Sequence, residues 1–298
     1  MILRFYCKLS DGSEKIFTNS LGFTFVKEAF TPYTTLNARI SGLNFPEDMK
    51  EIKLYIDGRY VHHGIVDTYR LSRSNGVDKI TISSRGYTAL LTENQLPPAL
   101  YTDMTFNRLF DEYFQLPNIT HENNSETSYI YVNKGTPMWD GAANLCWKLK
   151  GTYPYIRGTN KVMMSMPDDA VTRTYLPESY MDCGTEVNTR QMVSHYNMAD
   201  IDGNYNTFSA QSQEAIDRNI IRHRHFELDK RFLYEPASAC DYRIMMAERN
   251  YKRRYITVVG YNGEDINDIL NCEGYENQRI KGVRISGSGK GIFTKISF

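Results

Sequence analysis

Several groups of residues have the types that could do chemistry, and each lacks a part which that chemistry requires. Gly287-Ser-Gly-Lys290 has the composition of a phosphate-binding loop, in which backbone N–H groups cradle phosphate while a lysine reaches its terminal oxygens. Such a loop needs glycine at position 284 and Ser or Thr after the lysine, but Arg284 and Gly291 stand there and a strand pattern follows. The run reads as a hairpin turn. Asp200, Asp202 and Asn204 have the one-three-five spacing of a calcium loop. Tyr205 replaces the glycine of its sharp turn and Gln211 its bidentate carboxylate, so no calcium is expected.

His223 and His225 alternate with Arg222 and Arg224, which on a strand puts both imidazoles on one face and both guanidinium groups on the other. Two imidazoles do not complete a metal site, no cysteine or third histidine follows at ligand spacing, and the arginines oppose a dication. A partly exposed strand is expected. His62 and His63 point to opposite faces and read as polar residues of an edge strand. Arg249, Lys252, Arg253 and Arg254 read as a solvated helix end rather than a nucleic-acid contact, since positive charge there complements the helix dipole. Cys7, Cys146, Cys183, Cys240 and Cys272 are far apart, odd in number and without a C-x-x-C pair, which predicts reduced, mostly buried thiols. Asn118-Ile-Thr and Asn123-Asn-Ser read as loop polarity. No G-x-S-x-G, H-E-x-x-H or kinase motif occurs. No catalytic, cofactor-binding or metal residue is assigned, and the chain is not expected to be an enzyme.

Composition limits the classes further. The 298 residues suffice for two or three domains, and the 41% hydrophobic and 23% charged fractions are those of a folded protein. Lys plus Arg equals Asp plus Glu at 35 each, so no whole-molecule field draws the protein to nucleic acid or anionic membrane. Met1 to Ser10 is too brief for a signal-peptide core and no run of about 18 apolar residues occurs. A chain that stays in the cytoplasm is expected, with no membrane insertion. The 22 tyrosines and 14 phenylalanines favour pleated surfaces and assembly contacts.

Periodicity supplies the elements. Leu36, Ala38 and Ile40 alternate, as do Ile52, Leu54 and Ile56, and Asp57-Gly58 and Asn75-Gly76 punctuate the region as type I′ turns. Three consecutive paired strands are predicted between Glu51 and Arg85, long enough to curl into a small barrel or half-barrel. After Pro97-Pro98, Phe106, Leu109, Phe110, Tyr113 and Phe114 form a helical stripe capped by Thr105 or Asp103 and stopped by Pro117. Tyr129 to Val132 reads as a strand. Thr136 as N-cap, Pro137 in the first turn and Trp139, Ala142, Ala143, Cys146 and Leu149 predict a helix ending at Gly151, followed by strands Thr152–Ile156 and Lys161–Met166 about a turn at 158–160. The Phe106–Phe114 helix is expected to cover this one and make both tryptophans core. Farther on, strands are predicted for Val187–Tyr196, Tyr205–Ala210, Tyr255–Tyr261, Gln278–Ser286 and Gly291–Phe298, with a helix at about 239–252 capped by Ser238 and Asp241. Three domains result: 1–96, β-barrel-like; 97–168, small α/β; 169–298, β-rich with one helix.

Gly64-Ile-Val-Asp67, Ile80-Thr-Ile-Ser-Ser-Arg-Gly86 and Ala89-Leu-Leu-Thr-Glu-Asn-Gln95 together resemble the segment that closes the first barrel of phage baseplate hub proteins. Thr136-Pro-Met-Trp-Asp140 through Leu149-Lys-Gly151, then Tyr155, Gly158 and Met163, is similar to that family's helix and hairpin. Ala247, Arg249, Gly260-Tyr261 and Gly291-Ile-Phe-Thr294 look like its closing barrel. The family is that of contractile-tail hubs: the late control protein D type, the Mu-type hub and the hub part of type VI secretion spike proteins. The sequence departs from it in Ser84-Arg-Gly86 and in having no tryptophan near the last strands. The resemblance implies an α+β, β-rich multidomain fold with two tube-like antiparallel β-barrels and an intervening small α/β domain. It also implies a homotrimer that joins tail tube to spike in the virion baseplate, assembled in the host cytoplasm, with no cofactor and no specific nucleic-acid binding, DNA passing through its channel. A tail-associated cell-wall hydrolase and a tail-tip protein of a non-contractile tail are the alternatives.

Overall fold

The computed structural model describes residues 2–42, 48–74, 76–205 and 207–298. The first part supplies β1 (Leu3–Leu9), β2 (Glu14–Phe17), β3 (Ser20–Glu28), β4 (Thr35–Ser41), β5 (Met49–Ile56), β6 (Arg59–Ser74) and β7 (Val77–Gly86), then a short α1 (Leu90–Glu93). The middle part holds β8 (Ala99–Met104), α2 (Phe106–Arg108) continued by a π-helical turn at Leu109–Tyr113, β9 (Thr120–His121), β10 (Ser128–Val132), α3 (Met138–Lys150), β11 (Tyr155–Arg157) and β12 (Lys161–Met163). Then come β13 (Thr172–Thr174), β14 (Tyr180–Val187), β15 (His195–Met198), β16 (Phe208–Gln211), α4 (Gln213–Asp217), β17 (His223–Phe226) and α5 (Pro236–Glu248). The chain closes with β18 (Lys252–Val259), β19 (Ile269–Cys272), β20 (Tyr275–Arg279), β21 (Gly282–Ser288) and β22 (Gly291–Ser297). The protein is β-rich, built on several sheets.

The expected meander is present as β5, β6 and β7, with Ile52, Leu54, Ile56, Ile80 and Ile82 all inward. Asp57 and Gly58 both take positive φ in the first turn, as type I′ requires. Asn75 of the second turn, like Asn206 in the predicted return strand, lies outside the described residues; Ser74 and Val77 pair across that turn. The meander continues into one sheet of order β14-β18-β22-β21-β3-β4-β7-β6-β5-β1-β2. Strands from both ends of the sequence meet where β21 pairs with β3. Among the described residues this ladder does not close on itself, and β14 and β2 are its edges.

The sheet is nevertheless strongly curled. β1 and β3 lie five places apart in the strand order, a span of about 24 Å in a flat sheet at about 4.8 Å per strand; yet the rings of Phe5 and Phe23 are 6.1 Å apart, edge to face. The pairing of β6 with β7 slips at a bulge between Val66 and Thr68, which adds bend and twist where the curl needs them. Gly287 of β21 sits opposite Phe23, and a Cβ there would fall 2.1 Å from the ring. The glycine suggestive of a phosphate loop is a seat for an aromatic side chain. β13, β19 and β20 form a second sheet; its Leu270, with Ile280 just after β20, joins Phe25, Ile256, Val283 and Ile296 in one core shared by both ends of the chain.

Other elements depart from expectation for identifiable reasons. The strand predicted at Val187–Tyr196 divides into β14 and β15, with Asn188–Ser194 outside any strand. The strand predicted at Gln278–Ser286 divides between the end of β20 and β21, while β1, β2, β8, β9, β13 and β19 had no prediction; their polar residues and short lengths blur a period of two. Pro137 is itself the N-cap of α3, which has no side-chain cap, while Gly151 ends it in the left-handed region at φ 63°. Thr105 caps α2 by accepting from Arg108 N, as predicted. α5 begins at Pro236 rather than Ala239, because proline suits the first helical position, and ends at Glu248, because Lys252, Arg253 and Arg254 belong to β18. Ser238 does not cap it.

The middle part buries Phe106, Leu109, Phe110 and Phe114 against Trp139, Ala142, Leu145 and Cys146, so the predicted covering helix does cover α3. Trp139 is core. Trp147 is not: it reaches out of that core to α5, donating its Nε1–H to Ser238 Oγ at 2.9 Å, with its ring against Tyr242. A small core of Met198, Phe232, Ala239 and Cys240 lies beneath β15, β16 and β17.

Candidate functional site: a polar seam joining three chain segments

Alternation along β3 puts Lys27 on the same face as Phe23 and Phe25, so a lysine enters the interior. A buried ammonium is costly unless paired. Here Lys27 Nζ donates to Asp265 Oδ1 at 2.6 Å and to the carbonyl of Gly158 at 2.5 Å, while Asp265 Oδ2 accepts from Gly158 N at 2.7 Å. One ion pair thus ties β3, the β11–β12 turn and the loop before β19. Gly158, expected as a turn residue, has φ 61° and presents both its backbone groups to this pair.

Asp268, 1% exposed, continues the seam. Its Oδ1 accepts from Arg157 at 3.2 Å and Val171 N at 3.1 Å, and its Oδ2 from Arg173 at 3.1 Å and Asp265 N at 3.2 Å. Four donors on one carboxylate satisfy it without solvent. Burial alone would lower the Arg157 value, but the facing carboxylates of Asp265 and Asp268 outweigh it and hold the guanidinium above its ordinary range. Arg59 and Arg173 both donate to the Asn262 carbonyl, and Tyr175 donates to Glu264. The seam therefore takes groups from 1–96, 97–168 and 169–298 together.

A second set of polar groups lies inside the curled sheet. His62 is fully buried, with Nδ1 3.0 Å from Thr34 Oγ1 and Nε2 2.9 Å from Ser84 Oγ. β6 runs between β5 and β7, so the expectation of an edge strand is corrected; the adjacent histidines do face opposite sides. Burial pushes the His62 imidazole down to about 3. His63 bonds Glu51 at 2.9 Å, which also accepts from Tyr87 at 2.8 Å. At the far end of α3, burial pushes the Lys148 ammonium down to about 7; it donates to the Tyr129 carbonyl and stands 3.4 Å above that residue's ring.

The sequence candidates fall elsewhere. Gly287–Lys290 lies at the β21–β22 hairpin, closed by the pair Ser288 and Gly291. Asp200 is occupied as a turn carboxylate, accepting from Asp202 N, Asn204 N and Thr207 Oγ1. His225 lies on the exposed β17 with His223, whose ring stacks on His195 at 4.2 Å, a neighbour from β15 that local spacing could not reveal. Among the described residues no three His, Cys, Asp or Glu side chains converge in a metal-holding group. Three of the five cysteines are buried, while Cys183 is exposed and Cys272 half-buried. Sequence reasoning missed Lys27, Arg157, Arg173, Asp265 and Asp268. The available signals were a lysine in phase with Phe23 and Phe25 and the acid-rich run Glu264-Asp-Ile-Asn-Asp268.

No family model matches the chain, and no curated protein matches it. Solved structures do. A tail protein from Neisseria meningitidis MC58 superposes with a TM-score of 0.72 at 15% identity, over 100% of this chain and 96% of that one. The 43 kDa tail protein of prophage MuSo2 from Shewanella oneidensis superposes with a TM-score of 0.74 at 14% identity, over 99% and 97%. This chain has the phage tail protein fold. A type VI secretion system component from E. coli, described as structurally similar to the T4 bacteriophage tail proteins gp27 and gp5, follows at a TM-score of 0.55 and 11% identity, over 94% of this chain and 73% of that one.

Proposed function

We propose that the protein is a structural component of a phage or phage-like tail: a baseplate hub that joins the tail tube to the central spike. The observation that carries this reading is the end-to-end match to two tail proteins, each covered for more than nine-tenths of its own length. The similarity to a type VI secretion component supports the spike side of the reading, as does the spike protein VgrG in the complexes of another neighbour.

In this reading 1–96 and 169–298 each supply a tube-like barrel, 97–168 is an appendage beside them, and three copies form a ring with six barrel positions. DNA passes through the ring without sequence-specific contact. The assembled protein resides in the virion tail and is put together in the host cytoplasm. The seam suits such work, because a hub must transmit force between tube and spike without its parts rotating. The role needs no catalytic step, and purified chain on a peptidoglycan zymogram is expected to leave no clearing; a clear band would favour a hydrolase. Cross-linking mass spectrometry on purified tail particles tests the hub position. Links from this chain to both tube and spike subunits are expected, and links to neither would overturn the reading.

A further inference from the structure

Cys183 and Cys272 are distant in sequence, and the fold brings them to one place. On β14, Tyr180 pairs with Val258, Cys183 with Ile256 and Thr185 with Arg254, so across the register shift after Tyr180 both Tyr180 and Cys183 stand on the same face of the sheet as Val258 and Ile256, Cys183 at its exposed edge. The tip of the β19–β20 hairpin lies across that face and is located at two points. At one, Glu273 N donates to Tyr180 Oη at 3.0 Å; at the other, the Arg254 guanidinium stands 4.3 Å over the Tyr275 ring, itself 5.7 Å from Phe298. Cys272 precedes Glu273 and pairs with Tyr275. It is therefore held over the row between those two points, and that row begins with Cys183. Burial pushes the Cys272 thiol above its ordinary range, the Tyr180 hydroxyl opposes that, and the Cys183 thiol adds to it. Both cysteines are free.

We propose that Cys183 and Cys272 are a disulfide-forming pair, a modification site that ties the open edge strand β14 to the β19–β20 hairpin when a small disulfide oxidant reaches the protein. Cys183 is exposed and meets the oxidant first. With glutathione disulfide, the Cys183 thiolate attacks one sulfur, forms a mixed disulfide and releases glutathione thiolate. The Cys272 thiolate then attacks the Cys183 sulfur, forms the protein disulfide and releases the second glutathione; the two thiol protons end on the two glutathione molecules. The oxidant is reduced by two electrons and the pair oxidised by two. A strand paired along one side only, with Met181 and Val187 exposed, is the part of the sheet with most to gain from a covalent tie. This inference is independent of the tail reading.

The full chain is incubated with glutathione disulfide, alkylated, digested without reduction and analysed by mass spectrometry. The expected result is a peptide pair joined through Cys183 and Cys272, three of five thiols still titratable, monomer mobility on a non-reducing gel, and a Tm higher by about 5–10 °C for a closed loop of about 90 residues. Dithiothreitol reverses all of it. Cys272→Ser is expected to stop at a glutathione adduct on Cys183, and Cys183→Ser to leave Cys272 unmodified. A persistent glutathione adduct on Cys183 of the unmutated chain, or a Cys183 bridge between two copies, overturns the proposal.

Discussion

The core of the curled sheet is buried and the polar seam largely so, with Lys27 and Asp268 at its buried centre, and the two hold the molecule in different ways. In the sheet, Phe5, Phe25, Leu36, Ile52 and Ile82 are interchangeable in kind: each adds apolar area removed from water, and the effect has no direction. In the seam, Lys27, Arg157, Asp265 and Asp268 are specific in place, since each bond reaches a different chain segment. Area gives stability and directional pairs give a fixed relation between parts. A protein that must only fold needs the first; one that must transmit force between bound partners also needs the second.

Breaking each region separately sharpens the contrast. Asp268→Ala removes the buried carboxylate that Arg157 and Arg173 share, leaving Arg157 only the exposed Asp169 as a carboxylate partner and Arg173 only backbone carbonyls, and is expected to cost about 3–5 kcal/mol. Chemical denaturation followed by Trp fluorescence, which reports residues 139 and 147 alone, should separate from the transition seen by circular dichroism. Phe25→Ala removes a fully buried ring and is expected to cost a similar amount, about 3–5 kcal/mol, while the two probes stay coincident. Coincident probes in the Asp268 variant would mean that the seam does not set the relation between the parts.

Acid distinguishes the two regions next. His62 keeps its folded value near 3 against an ordinary 6.5, so between those limits the unfolded chain binds the extra proton. This contribution is intact above pH 6.5 and is lost as pH falls, by about 1.4 kcal/mol per unit, or about 2 kcal/mol by pH 5. His62→Gln should remove that slope from a stability–pH profile. An unchanged slope would place the proton elsewhere. Smallest is Ser238→Ala, which strips the partner from Trp147 Nε1 and is expected to cost about 1 kcal/mol in a denaturant melt, without separating the probes.

Much of the sheet was legible in the sequence and almost none of the seam. Ile52, Leu54 and Ile56 announce a half-buried strand because burial on one face leaves a period of two. Asp57-Gly58 announces its turn because few residues take positive φ. The helix of Trp139 was legible from spacing, although its cap was not: Thr136 has the right chemistry, but Pro137 already sets the first turn. The pairing of β21 with β3 joins residues more than 250 apart, and no local pattern carries that distance. Asp268 reads as one acid among 35 until the fold sets two arginines against it. The resemblance carried by Gly64-Ile-Val-Asp67 and Thr136-Pro-Met-Trp-Asp140 reached the fold because it used the order of motifs along the whole chain, which survives where single positions are uninformative.

The most direct test of the hub reading is the mass of the assembled protein. Native mass spectrometry of the chain with its tube and spike partners is expected to show a species holding three copies of the 34.5 kDa chain. A chain that stays monomeric at high concentration with both partners present would contradict the account.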